Sequence, residues 1–401
     1  MSNSSFRSVK LAPADPILGL TEMYKSDTKP EKVNLGVGVY YNDSGSIPLL
    51  DCVRAAEADL VSEQAPRAYQ PIDGNQKYAK LVQDLLFGED SNVIKERRVL
   101  TAQTLGGTGA LRMGAELLSK SVESTGVWIS DPSWANHRGI FTNAGMSVHT
   151  YPYYSAESHS VAFDEMKDSL NSLMPGSVVL LHACCHNPTG VDLTKQQWEE
   201  IAQLVSQKNL IPFLDIAYQG FGDSVKEDGS VVRLFAKTCR NVLIANSFSK
   251  SFSLYGERIG GLSIIADSNE EMIRLQSQLK ILIRTNYSSA PIYSGAIVEK
   301  VLGDKDLCSQ WDRELGEMRD RIKQVRAQLV NNIQTLCPNK DYSFIVKQRG
   351  MFSYSGLTKD QVVALREKHS VYAVESGRIC VAALNSTNIE YVSNAIAAVI
   401  G

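Results

Sequence analysis

Five short apolar runs recur through the middle of the chain: GVWIS (126–130), SVVLLHA (177–183), LIPFLDI (210–216), NVLIANS (241–247) and GLSIIA (261–266). None alternates with polar residues. A strand that keeps one face in water shows that alternation; a strand covered on both faces does not. Stretches with helical spacing lie between several of the runs, such as TKQQWEEIAQLVSQKN (194–209). The succession predicts an α/β domain with a mostly parallel sheet flanked by helices.

Past residue 304 the pattern changes. Leu307, Trp311, Leu315, Met318, Ile322, Val325, Leu329 and Ile333 recur every three or four residues, one apolar stripe on a long helix. The expected organisation is a large domain over 45–305 and a smaller mixed α/β domain made from 1–44 and 306–401, joined by that helix, which starts near 304. Within the smaller domain the patterns predict strands near SFIVKQ (343–348) and GRICVAAL (377–384), and helices near 358–369 and 387–399.

At 401 residues the chain has room for two domains. Its 41 basic and 44 acidic residues leave a formal net charge of −3, which gives no reason to expect a nucleic-acid or anionic-membrane partner. No apolar run approaches the roughly 20 residues of a membrane helix. The first residues, MSNSSFRSVKLAPADPI, contain no apolar core of a secretory signal, and their serines with Arg7 and Lys10 make too short a stretch for a transit peptide. Seven cysteines, an odd number over a long chain, fit reduced thiols in a cytoplasmic enzyme rather than a disulfide scaffold.

Ligands of open α/β sheets gather at the carboxyl ends of the strands. After the first run comes DPSWANH (131–137), and after the second CCHNPTG (184–190). The third carries Asp215 near its end and then Tyr218. The fourth ends at Ser247 and leads to Lys250, a lone lysine among Ser, Phe and Leu. Any one of these segments is explained by turn chemistry, since Asp-Pro and Asn-Pro are common turn formers. Four in succession at one sheet edge point to a site.

A lysine drawn out of water has a lowered pKa and becomes a nucleophile suited to Schiff-base chemistry. Pyridoxal phosphate is the partner such an amine implies. That cofactor needs an acid at its ring nitrogen, an anion site for its phosphate and contacts that fix its ring. Asp215 can supply the acid, Tyr218 and Asn187 can donate to the ring oxygen, and Trp134 can lie against the ring face. In TAQTLGGTGALRMGAELL (101–118) Gly106, Gly107 and Thr108 open an amphipathic helix, where backbone N–H groups hold anions; Arg258 and Ser247 can complete that cup. A tight turn into a helix would explain the glycines equally well. A rival constellation, His182, Cys184 and His186 in HACCH, has metal-ligand chemistry but no further ligand pair at conventional spacing. Buried cysteines acting as small hydrophobes are the simpler reading, and no metal is expected.

With these segments assembled, the chain resembles the fold-type I pyridoxal-phosphate aminotransferases of the aspartate and aromatic subgroup. The resemblance rests on NLGVGVYY (34–41), YQPIDG (69–74), LGGTGALR (105–112), DPSWANH, HNPTG (186–190), DIAYQGF (215–221), SFSKSFSLYGERIG (247–260), RTNYSSAP (284–291) and SGRICVA (376–382), in one order. In texture it is similar to the bacterial aromatic-amino-acid branch. The resemblance implies that Lys250 forms the Schiff base with the cofactor and moves the substrate proton. It implies that Asp215, Tyr218 and Asn187 hold the pyridine ring, and that Gly107, Thr108, Ser247 and Arg258 form the phosphate cup. Tyr69 would reach the phosphate of the neighbouring subunit. Arg378, helped by Gly38, Trp134 and Asn187, would grip the substrate α-carboxylate. Arg284 would come from the partner subunit to a distal carboxylate, so a homodimer is implied.

There is one departure: Gly106 stands where aspartate enzymes usually carry serine. The aromatic branch often has glycine there, which tilts the expectation toward aromatic donors. The implied reaction is a ping-pong transamination between an aromatic L-amino acid, with aspartate and glutamate also accepted, and 2-oxoglutarate. A strict aspartate aminotransferase is the alternative the motifs leave open. A non-catalytic ligand sensor on the same fold fits less well, because Arg378 and Arg284 are retained and no N-terminal helix-turn-helix is present.

Overall fold

The computed structural model describes residues 5–12, 18–123 and 126–401. Its centre is a seven-stranded sheet: β1 (Val99–Leu105), β2 (Val127–Asp131), β3 (Val148–Pro152), β4 (Val178–His182), β5 (Ile211–Ile216), β6 (Val242–Ser247) and β7 (Ile259–Ile265). The strand order is β1-β7-β6-β5-β4-β2-β3. β7 runs antiparallel to both neighbours, and the remaining pairings are parallel.

The missing alternation in the apolar runs has a direct cause. Successive side chains of a strand point to opposite faces. On β4, Val178 and Leu180 join one apolar cluster, with Phe213 and Leu243 of the neighbouring strands. Val179 and Leu181 join the other, with Leu214 and Ile244. Helix α1 (Gly106–Ser121) covers the first face through Ala110, Met113 and Leu117. Helix α2 (Ala135–Asn143) adds Ile140 and Phe141 to the same face. Helix α3 (Lys195–Gln207) covers the second through Trp198, Ile201 and Val205. A capping box starts α3 cleanly: Thr194 Oγ1 accepts from the Gln197 amide, and the Gln197 side chain accepts from the Thr194 amide.

β1 and β3 were not among the expected strands. β1, VLTAQTL, mixes Thr and Gln into its apolar residues, yet six of its seven residues are buried. Its polar side chains find partners: Thr101 Oγ1 lies 2.8 Å from Ser263 Oγ on β7, and Gln103 Nε2 donates to Pro291 O at 2.7 Å. β3 is exposed at His149 and Thr150 because it edges the sheet.

The apolar stripe beyond 304 forms α4 (Lys305–Leu336), and Trp311, Leu315, Met318, Ile322, Val325, Leu329 and Ile333 are buried along it. SFIVKQ is not a strand. Phe344–Lys347 is one helical turn, α5, with Ile345 buried and Val346 exposed. A short apolar run carries no decisive period. Here the following Gly350, at φ +76°, turns the chain into β8 (Phe352–Tyr354), which is where the sheet pairing occurs. Helix α6 (Lys359–His369) follows. GRICVAAL is strand only at β9 (Arg378–Cys380), antiparallel to β8, and continues as a 3₁₀ turn over Val381–Ala383. Helix α7 (Ile389–Ile400) closes the chain. Val33 and Asn34 pair in parallel with Val371 and Tyr372, so the early residues dock on the C-terminal segment.

Candidate active site

The parallel strands deliver their carboxyl ends to one edge. Across the ladder His182 stands opposite Asp215, Asp215 opposite Ala245, and Ser247 opposite Gly260. A cavity of about 220 Å³ opens there. Asp215, Tyr218, Ser247 and Lys250 line it from β5, β6 and the loops that follow them. Gly107 and Thr108 line it from the start of α1, Trp134 from the start of α2, and Asn187 from the loop after β4. Gly38, Arg258 and Arg378 complete it.

Lys250 Nζ lies 5.2 Å from the centroid of the Tyr218 ring. Withdrawal from water lowers this amine to about 8, against the pull of Asp215 in the other direction. A usable fraction of neutral amine is therefore present near neutral pH. Burial pushes the Asp215 carboxyl up, but His137 overrides it: Nε2 lies 2.9 Å from Oδ2, and with His182 and Lys250 nearby the carboxyl is held below its ordinary value. Asp215 is thus an anion in the floor of the cavity.

Helix α1 begins at Gly106 directly after β1, and no side chain caps its first turn. The first N–H groups of a helix need acceptors. Gly106 has φ +68°, and a Cβ there would lie 2.7 Å from Arg258 Nη2. A Cβ on Gly107 would lie 3.2 Å from Ser247 Cβ. The helix start, the serine and the guanidinium therefore enclose one small cradle. Arg258 Nη1 donates to Ser249 Oγ at 3.1 Å and to Tyr255 O at 2.9 Å, which fixes its aim. A phosphate fits this cradle. With a carboxylate for a ring nitrogen, Asn187 and Tyr218 for ring oxygens and an amine for an aldehyde, the residues present fit pyridoxal phosphate.

Arg378 is buried and its guanidinium lies 4.4 Å from the centroid of the Phe352 ring. Nη1 lies 3.4 Å from Asn187 Oδ1, Nη2 donates to Gly36 O, and Nε is buried with no partner. No carboxylate pairs with it among the described residues. A buried guanidinium with an idle donor is prepared for an incoming carboxylate. Gly38 lines the same cavity, and the Phe352 ring packs so close that a Cβ there would lie 2.6 Å from it.

Three of the expected residues do not line the cavity. Gly106 touches it through Arg258. Tyr69 is 94% exposed, and Arg284 is exposed near the end of the helix Asn269–Asn286, where it donates to Ser288 Oγ. Neither meets the cavity of its own chain.

Several residues were not singled out from sequence. His137, on the first turn of α2, lies in DPSWANH, but nothing in that segment says which way its ring faces. His182, considered only as a metal ligand, packs edge-on against His137 with ring centroids 5.0 Å apart. Burial, with His137 beside it, drives His182 down to about 3, so the ring is neutral. Ser249 and Phe352 also border the cavity. His182, Cys184 and His186 of the HACCH segment do not bring their ligand atoms together as one group. His186 Nε2 lies 2.9 Å from Ser130 Oγ and its Nδ1 2.9 Å from Thr189 Oγ1, and its ring stacks on His182. Among the described residues the grouped candidates are instead Cys184, Cys185 and Asp228, and the Asp228 carboxylate already accepts the amides of Gly220, Gly222 and Asp223.

The sheet edge, the uncapped helix start and the enclosed amine define an α/β enzyme with a site for an aldehyde-bearing phosphate ligand. A family model described as Aminotransferase class I and II matches residues 30–396. The chain is 50% identical over 397 residues to an aspartate aminotransferase of Pseudomonas aeruginosa, covering 99% of this chain and 100% of that protein. It is 46% identical over 395 residues to an aromatic-amino-acid aminotransferase of Escherichia coli, covering 98% and 100%. A solved aromatic-amino-acid aminotransferase from Burkholderia pseudomallei, covalently bound to pyridoxal phosphate, superposes with a TM-score of 0.97 at 56% identity, covering 99% and 100%. The chain belongs to the class I and II aminotransferase family.

Proposed function

We propose that this aminotransferase carries pyridoxal phosphate and transfers the amino group of aromatic L-amino acids, and of aspartate and glutamate, to 2-oxoglutarate. The observation that carries the reading is one cavity holding both a lysine amine lowered to about 8 and a buried arginine with a free Nε. Relatives with aspartate and aromatic names match almost equally well, which favours the broad specificity over a strict aspartate enzyme.

The bound cofactor supplies an electron sink for the substrate Cα. The protein's part follows from its own groups. Lys250 Nζ would hold the cofactor through its aldehyde and, when neutral, would be the base that takes the proton from the substrate Cα and delivers it to the former aldehyde carbon. Asp215, kept anionic through His137, would hold a proton on the ring nitrogen. Tyr218 and Asn187 would donate to the ring oxygen, and Trp134 would hold the ring face. Gly107, Thr108, Ser247 and Arg258 would hold the phosphate, with Gly106 leaving room for the Arg258 guanidinium. Arg378 takes the α-carboxylate in its fork, with Gly38 beside it in the lining and Asn187 bracing Nη1. Fixing the carboxylate aims the Cα–H bond at Lys250.

The working form in this reading is a homodimer. Tyr69 and Arg284 lie outside the cavity of their own chain and are exposed, which supports their serving the partner's site. The lobes are 45–305 and, together, 1–44 with 306–401; the pairing of Val33 with Val371 supports joining the two outer segments. No helix among the described residues is long and apolar enough to cross a membrane. Seven unpaired cysteines support a cytoplasmic setting.

The test compares kcat/KM for phenylalanine and for aspartate with 2-oxoglutarate as acceptor. Comparable values support the broad reading. Turnover of aspartate with negligible turnover of phenylalanine replaces it with the strict aspartate enzyme.

A further inference from the structure

A second cavity, of about 290 Å³, lies apart from the candidate active site. Three segments form its walls: Phe221–Asp223 after β5, Lys323 and Arg326 on α4, and residues 346–350 at the end of α5. Four cations border it, Lys323, Arg326, Lys347 and Arg349, against one carboxylate, Asp223. Asp223 is already taken: its Oδ2 lies 2.6 Å from Arg349 Nη1, and its Oδ1 3.9 Å from Lys323 Nζ.

Arg326 is 2% exposed and has no carboxylate partner among the described residues. Its guanidinium donates only to neutral oxygens: Nη2 to Gly350 O at 2.7 Å and Phe352 O at 3.1 Å, and Nε to Ser353 Oγ at 3.3 Å. A buried charge of this kind is costly unless an anion completes it. One buried polar atom here is unsatisfied. Gln348, also lining the cavity, is 3% exposed; its Nε2 donates to Tyr354 O, but its Oε1 is buried without a partner. The surplus positive charge calls for an anion, and the idle acceptor calls for a hydroxyl on it.

We propose that this cavity binds a small hydroxyl-bearing phosphate, hydrogen phosphate or a phosphate monoester, between α4 and the 346–350 turn. Arg326, Lys323 and Lys347 take the phosphate oxygens, and the ligand hydroxyl donates to Gln348 Oε1. Occupancy is transmitted to the amino-acid site by a short path. Arg326 holds the carbonyl of Phe352; the Phe352 ring packs against the Arg378 guanidinium; and β8 is in register with β9, Phe352 opposite Cys380 and Tyr354 opposite Arg378. The bound phosphate therefore changes KM for the amino acid more than kcat.

The experiment is calorimetric titration of the cofactor-loaded enzyme with inorganic phosphate, and separately with glycerol phosphate, at constant ionic strength set with chloride. A saturating dicarboxylate such as maleate keeps phosphate out of the amino-acid site. Lys323→Ala/Lys347→Ala removes two exposed cations and leaves the buried Arg326 in place, so the fold is not at risk. The expected result is saturable binding in the presence of maleate, weakened about 10-fold or more in the double variant. The stronger of the two titrants distinguishes free phosphate from a monoester. Binding that maleate abolishes, or that is equal in wild type and double variant, overturns the proposal.

Discussion

His137 Nε2 lies 2.9 Å from Asp215 Oδ2, a bond between the first turn of α2 and the end of β5 that determines the charge at the floor of the cavity. Behind it, Ser133 Oγ lies 2.9 Å from His137 Nδ1, so both ring nitrogens are committed and the ring cannot turn away. His137→Asn shortens this arm. Burial then prevails, and the Asp215 carboxyl rises from its lowered value. A raised carboxyl is protonated sooner on acidification, so the acid limb of kcat/KM against pH moves to higher pH. The fall in kcat/KM is about 10-fold to 100-fold, the worth of one charge-assisted bond. An acid limb that stays where it was removes His137 from this role.

Lys250 carries a second pH dependence. Its amine titrates near 8, and only the neutral form attacks an aldehyde. Stopped-flow absorbance of cofactor capture by the cofactor-free protein should rise with pH and level off above about 8, rather than climbing toward the ordinary lysine range near 10.4. Lys250→Ala should lose about 10⁴-fold in turnover while the phosphate cradle still retains the cofactor.

Arg378→Lys replaces a planar fork with a point charge. The bond to Gly36 O and the idle Nε both disappear. KM for every amino-acid donor should rise on the order of 100-fold, with a smaller change in kcat. The effect should be the same for phenylalanine and aspartate, because the α-carboxylate is common to both.

At Gly106 the backbone has φ +68°, and any Cβ meets Arg258. Gly106→Ala should cost about 1–2 kcal/mol of stability from the left-handed backbone alone. The cofactor should also leave faster, because Arg258 is pushed out of its aim. Thermal unfolding and the rate of cofactor loss measure the two effects separately.

Subunit sharing has its own test. A chain with Lys250→Ala and a chain with Arg284→Ala, mixed and reassembled one to one, should recover aspartate turnover at about a quarter of the sites. Half the dimers are hybrids, and in each hybrid one site holds both lesions and the other neither. Absence of recovery contradicts donation of Arg284 across the dimer.

How far the sequence disclosed this molecule depended on the period of each segment. The five buried runs announced themselves because Val, Ile and Leu fill both faces of strands such as β4 and β6. β1 did not, because Thr101 and Gln103 satisfy their polar groups against Ser263 and Pro291, contacts that are remote in sequence. SFIVKQ looked like a strand because four residues cannot separate a turn of helix from an extended segment; Gly350 and the pairing partner Arg378–Cys380 decided it. Within the site, the residues after each strand were legible from topology alone. The direction of a ring was not: DPSWANH does not show that His137 faces Asp215, nor HACCH that His182 packs on His137. Tyr69 and Arg284 are placed by the chain but not explained by it, since a single chain leaves both in solvent.

Borohydride reduction of the cofactor-loaded protein, followed by peptide mapping, examines the covalent link most directly. One reduced pyridoxyl adduct per chain on Lys250, with loss of the visible absorption band, is the result this account predicts. An adduct on another lysine, or a protein that stays colourless when supplied with pyridoxal phosphate, contradicts it.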